Sequence, residues 1–187
     1  MIHSAFGYVH PSLVEKIWNS AKEVMPPREA AREFLACGHE AGRRVFAGVE
    51  GLDAYVDAAA AVTGAVDDSG LALFAGVRAE PVPDDAPAAA AHHAVLLREL
   101  RGSAHIAANA AVGLSTSTAH AIKRPDDVAM FGWEAPPSVT DEDRARHERA
   151  ERITDDILVP AFSVLTDAQA NALVDGTAAM RAALRSG

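Results

Sequence analysis

The sequence predicts an all-α protein, and three observations carry that expectation. Apolar residues recur at helical spacing through nearly the whole chain. Pro11, Pro26-Pro27, Gly51, Gly113 and Pro125 fall at the edges of those stretches. No segment shows the period-two alternation of a half-buried strand. The expected architecture is a compact bundle of about seven or eight helices.

The elements run in order along the chain. Pro11 suits a first helical turn, and Leu13, Val14, Ile17 and Trp18 come next on one face. Pro26-Pro27 breaks that helix and opens the next, whose stripe is Ala31, Phe34, Leu35, Ala41, Val45, Phe46 and Val49. Gly51 separates it from a third stripe, Leu52, Tyr55, Val56, Ala59, Val62 and Val66. "DDSG" at 67–70 reads as a turn or a helix start. "RAEPVPDDAP" at 78–87 reads as an extended, proline-rich connector. A long helix is expected from about Ala88 to Val112, with Gly113 as its C′ residue. "STSTAHAIK" (115–123) is a short helix with a serine cap, stopped by Pro125. "TDED" (140–143) opens a charged helix that Pro160 bends or ends. "TDAQ" (166–169) has capping-box form and opens the last helix. One domain is expected over 1–187: N-terminal helices over 1–78, a connector over 79–87, and the long helix with the C-terminal helices over 88–187.

Composition narrows the function classes. A length of 187 residues with 49% hydrophobic content supports a real core. The net charge is −9, aromatics make up 5%, and no basic run exceeds two residues. That argues against nucleic-acid binding. Cys37 is the single cysteine, which excludes an intrachain disulfide and is consistent with a reducing, cytoplasmic setting. The N-terminus lacks the form of a signal peptide, and no apolar run approaches a membrane span.

The long helix carries the chemistry-bearing residues. Stepping about 100° per residue from Leu96 gathers Leu96, Leu97, Leu100, Ala104, Ala107 and Ala111 into a core stripe, with His93 in its middle. Arg98, Arg101 and His105 form a separate face, and Gly102 lies beside them. His93 reads either as a core histidine with one hydrogen bond or as a pocket group. The arginine–histidine face reads either as a salt-bridged surface or as a carboxylate- or phosphate-recognising cluster. Gly102 would admit close approach of another backbone. His39 to His120 show no zinc or di-iron spacing, so no metal site is expected.

At "HHAVLLRELRGSAHIAA" the chain resembles the SalK/EvbL-like group of winged helix-turn-helix proteins, actinobacterial and related to the MarR regulators. His93, Leu96, Leu97, Arg98, Glu99, Arg101, Gly102 and His105 carry the likeness. "FGYVHPSLVEKIWNSA", "ALFAGVRAEPVPDDA", "VTDEDRARHERAERITDD" and "PAFSVLTDAQANALV" extend it in the same order. Members begin with further helices, so a second copy or a small partner polypeptide is expected to cover the corresponding surface. Where the group has a recognition helix and wing, "FGW" here passes through "EAPPS" to "VTDED", about 25 residues shorter. The C-terminal half is therefore expected to be a degenerate helix-turn-helix that no longer reads DNA. The resemblance implies a small-molecule-binding protein of specialised metabolism, with His93, Arg98, Arg101, Gly102 and His105 recognising an anionic or natural-product-like ligand. A cofactor-independent enzyme using histidine and arginine, a haem- or tetrapyrrole-binding protein, and a transcription regulator remain open beside it.

Overall fold

A computed structural model describes residues 9–186, and all regular structure among them is helical. The α-helices are α1 (Pro11–Ala21), α2 (Pro27–Phe46), α3 (Leu52–Gly64), α4 (Ala72–Arg78), α5 (Ala86–Ala111), α6 (Thr116–Lys123), α7 (Asp141–Phe162) and α8 (Asp167–Ser186). Two short 3₁₀ turns, Pro125–Asp127 and Ala129–Phe131, come after α6. The all-α expectation holds. No single described helix is long and apolar enough to cross a membrane.

Local chemistry explains most boundaries. Pro11 and Pro27 start helices, where the missing N–H has no partner to lose. Gly51 and Gly113 adopt φ of 77° and 68°, which a side chain would disfavour. The Ser115 hydroxyl accepts from Thr118 N–H at 3.1 Å and caps α6. Thr140 and Asp143 exchange backbone and side-chain hydrogen bonds ahead of α7, and Thr166 and Gln169 do so ahead of α8.

Three boundaries differ from the sequence reading. Residues 72–78 form α4, because Leu71, Phe74 and Val77 reach the core at helical spacing. The Arg78 guanidinium then ties α4 to Val66 O at 2.9 Å and to Asp68. The connector is correspondingly shorter, and α5 starts at Ala86: Asp85 caps it by accepting from Ala88 N–H at 3.2 Å. Pro160 lies inside α7, which continues to Phe162. So close to the helix end, the proline disrupts little downstream.

The chain divides into two units by internal packing. One comprises Arg28–Leu100 and Val159–Gly187, the other Met1–Pro27 and Arg101–Leu158. In the first, Leu35, Phe46, Tyr55, Val62, Phe74, Val77, Leu96 and Leu100 are buried. There α3 packs on α8 so closely that a Cβ at Gly176 would lie 2.6 Å from Tyr55 Cβ. Similarly, a Cβ at Gly42 of α2 would lie 2.7 Å from Ala91 Cβ and 2.8 Å from Pro87 O of α5. In the second unit, Ala104, Ala108, Leu114, Ala119, Val128 and Ala150 are buried. Its N-terminal end is held by His10 N–H donating to Phe131 O at 2.9 Å. Between α6 and α7, the two 3₁₀ turns and irregular backbone span the interval.

Candidate functional site

The expected site residues do not form one cluster. Helix α5 is continuous through Gly102, which is half-buried. His93 is buried, as the apolar stripe implied, but its Nδ1 has no hydrogen-bond partner among the described residues. Arg98 is half exposed and lies 3.6 Å from Glu99. Arg101 is committed to Glu151 of α7, Nη2 to Oε2 at 2.8 Å. His105, placed by the helical wheel on a polar face, is buried against α7. The structure thus joins Arg101 and His105 through Glu151, and leaves His93 and Arg98 in the other unit.

Glu151 is the centre of that arrangement. Lys123 Nζ reaches its Oε1 at 3.2 Å, while His105 Nε2 and His147 Nε2 face the same oxygen at 4.0 and 3.9 Å. His147 and Glu151 are four residues apart on α7 and share a face. The Thr154 hydroxyl gives its one proton to Ala150 O at 2.7 Å, so it accepts from His105 Nδ1 at 3.0 Å. That fixes the His105 tautomer: the proton sits on Nδ1, and Nε2 is directed at the carboxylate. Burial holds the His105 pKa below the ordinary histidine value against the pull of Glu151, and Arg101, His147 and Lys123 reinforce it. Burial works to raise the Glu151 carboxyl, but Lys123, His105 and Arg101 outweigh it and keep it below the usual range.

A cavity of about 240 Å³ lies elsewhere, between α2 and α5. Phe34, Leu35, Cys37, Gly38, His39, Ala91, His92 and Val95 line it. Its walls are apolar apart from Cys37 and the two imidazoles. His39 Nε2 and His92 Nδ1 share a hydrogen bond at 3.1 Å, so one ring donates and the other accepts. His92 is fully buried, and its Nε2 has no partner among the described residues. Burial, then the neighbouring His39 and His93, push the His92 pKa down to about 4, so the ring is neutral near pH 7. A more open groove of about 380 Å³ shares Leu35 and His39 with this cavity. Its arginines are committed: Arg32 donates to Glu80 at 2.9 Å and Arg43 to Asp85 at 2.8 Å.

The model of a helix-turn-helix family matches residues 1–134. The chain belongs to this helix-turn-helix family. No curated protein and no solved structure matches it. The family match takes in the α2/α5 cavity, Arg101 and His105, and stops before α7 with His147 and Glu151.

Two sets of residues escape the sequence reading. His39 and His92 stand 53 positions apart, and nothing in their spacing announces contact. His147-x3-Glu151 is legible as an i,i+4 pair, but it lies beyond the His39–His120 interval whose spacings argue against a metal.

Proposed function

We propose that this helix-turn-helix family member binds a small, largely apolar molecule in the α2/α5 cavity. The supporting observation is a cavity with apolar walls beside the family's long helix, polar only at Cys37 and at the hydrogen-bonded His39–His92 pair. A molecule that fills it would bury its apolar surface against Phe34, Leu35 and Val95. Neutral imidazoles and neutralised arginines favour a neutral or weakly polar ligand over the anionic one that Arg98, Arg101 and His105 suggested. The finer SalK/EvbL-like assignment, with its specialised-metabolism setting, is part of this reading. So is a single domain over 1–187, in which residues 79–85 connect the N-terminal helices to the rest.

Loss of DNA reading belongs to the same proposal. Among the described residues, the interval between Lys123 and Asp141 holds neither a strand nor a helix longer than three residues. The first turn of α7 is acidic, with Asp141, Glu142 and Asp143. A surface of that sign repels phosphates. Self-association completes the reading: Val159, Val164, Val174 and Leu184 are exposed, and a second copy would cover them. Light scattering should return a dimer or larger, and Val174→Asp should shift it toward monomer.

The test of the cavity is titration of the purified chain with the apolar fluorophore N-phenyl-1-naphthylamine. Saturable fluorescence enhancement that disappears in Val95→Phe supports the cavity, whereas enhancement indifferent to Val95→Phe overturns it. Family membership favours one second reading, a regulator that still binds DNA. A salt-dependent gel shift with genomic fragments distinguishes it.

A further inference from the structure

We propose that His105, His147 and Glu151 form a binding site for a divalent transition-metal ion of the zinc class. Their ligand atoms all lie within 4.8 Å of one another, and both histidines are buried. Two imidazole nitrogens and one carboxylate oxygen are a zinc-type donor set. A tetrahedral ion bonded at about 2.0–2.1 Å needs ligand atoms about 3.4 Å apart. The Oε1 separations of 4.0 and 3.9 Å lie about half an ångström outside that, so binding an ion draws the side chains together.

The surroundings suit a ligand set rather than a chance meeting of side chains. Thr154 fixes the His105 proton on Nδ1 and aims Nε2 inward, as an outer-shell partner of a metal-binding imidazole does. Arg101 holds Glu151 Oε2, which orients the carboxylate and leaves Oε1 toward the histidines. Asn109, one turn along α5 from His105 and on the same face, is fully buried with both amide atoms unpartnered among the described residues.

Lys123 is the group that competes. Its ammonium takes Oε1 at 3.2 Å, and its side chain is 63% exposed, so it can leave for solvent. Metal binding therefore exchanges the Lys123 contact for coordination. A purely structural charge network would gain nothing from that exchange.

The experiment uses the untagged, chelator-treated full chain titrated with Zn²⁺ by calorimetry and with Co²⁺ by visible absorption. One equivalent of either ion is expected, with Co²⁺ developing d–d bands of a four- or five-coordinate site. His147→Gln and Glu151→Gln should each weaken binding by about tenfold or more. Lys123→Ala, at an exposed side chain that leaves folding intact, should tighten it. His39→Ala should leave it unchanged, since that residue lies at the other histidine pair. The proposal is overturned by no binding to the wild-type chain, by affinity indifferent to His147→Gln and Glu151→Gln, by weaker binding in Lys123→Ala, or by loss in His39→Ala.

Discussion

Gly42→Ala and Gly38→Ala lie one helical turn apart on α2, yet they should shift stability in opposite directions. At Gly42 the new methyl would lie 2.7 Å from Ala91 Cβ and 2.8 Å from Pro87 O. Carbon atoms settle at about 3.5–4.0 Å, so α2 and α5 must separate locally by about 1 Å. Neither neighbour is the far end of a flexible side chain. Such overpacking costs about 1–3 kcal/mol, and the alanine's better helix propensity offsets about 1 kcal/mol of it. At Gly38 nothing lies within 4 Å of the new methyl, so only the gain of about 1 kcal/mol remains. The propensity gain is common to both, so the two variants should differ by the overpacking cost, about 1–3 kcal/mol. Thermal unfolding should show this as a Tm gap of about 2–12 °C, with Gly38→Ala above wild type and Gly42→Ala at or below it. If Gly42→Ala equals or exceeds Gly38→Ala, the close α2/α5 approach that shapes the cavity is wrong.

The same geometry sets the response to other perturbations. The His92 pKa falls from 6.5 in the unfolded chain to about 4 in the fold, so below pH 6.5 the unfolded state takes up a proton that the fold refuses. Stability should decline between pH 6.5 and 4 by up to about 3 kcal/mol, and urea titrations of His92→Leu should lose that part of the profile. Glu80 is buried, and Arg32 and then Arg28 hold its carboxyl below the ordinary value against burial, so its contribution is present at neutral pH. That contribution should vanish as pH falls through the folded value. Glu80→Gln should therefore be less stable at pH 7 and show a shallower acid limb. Gly176→Ala should incur an overpacking cost of about 1–3 kcal/mol, offset by about 1 kcal/mol of helix propensity, because its methyl meets Tyr55 Cβ and the tyrosine ring at 2.6 and 3.0 Å; near-ultraviolet circular dichroism should report the displaced ring.

The helices were legible because proline starts, glycine stops and Thr/Ser caps act locally. The Ser115, Thr140 and Thr166 hydroxyls accept from open backbone N–H groups, Pro11 and Pro27 stand where no N–H is needed, and Gly113 stands where φ is positive. Helix α4 was hidden because its seven residues give less than two full repeats of a helical stripe. The candidate site was less legible. The helical wheel separated His105 from the core stripe of α5, but it could not supply the α7 face that buries it. Arg101 looked available for a ligand because its partner, Glu151, lies 50 residues away. The His39–His92 contact depends on Gly42 letting α2 approach α5, a tertiary event that no single-helix periodicity encodes.

Cys37 is exposed and lines the α2/α5 cavity, and no other cysteine competes with it for a thiol reagent. The rate of its alkylation by N-ethylmaleimide, with and without saturating N-phenyl-1-naphthylamine, reads occupancy of that cavity. The account predicts severalfold slower alkylation with the fluorophore present, and restoration of the free rate in Val95→Phe. An unchanged rate while the fluorophore is bound would contradict it, because the molecule would then sit elsewhere.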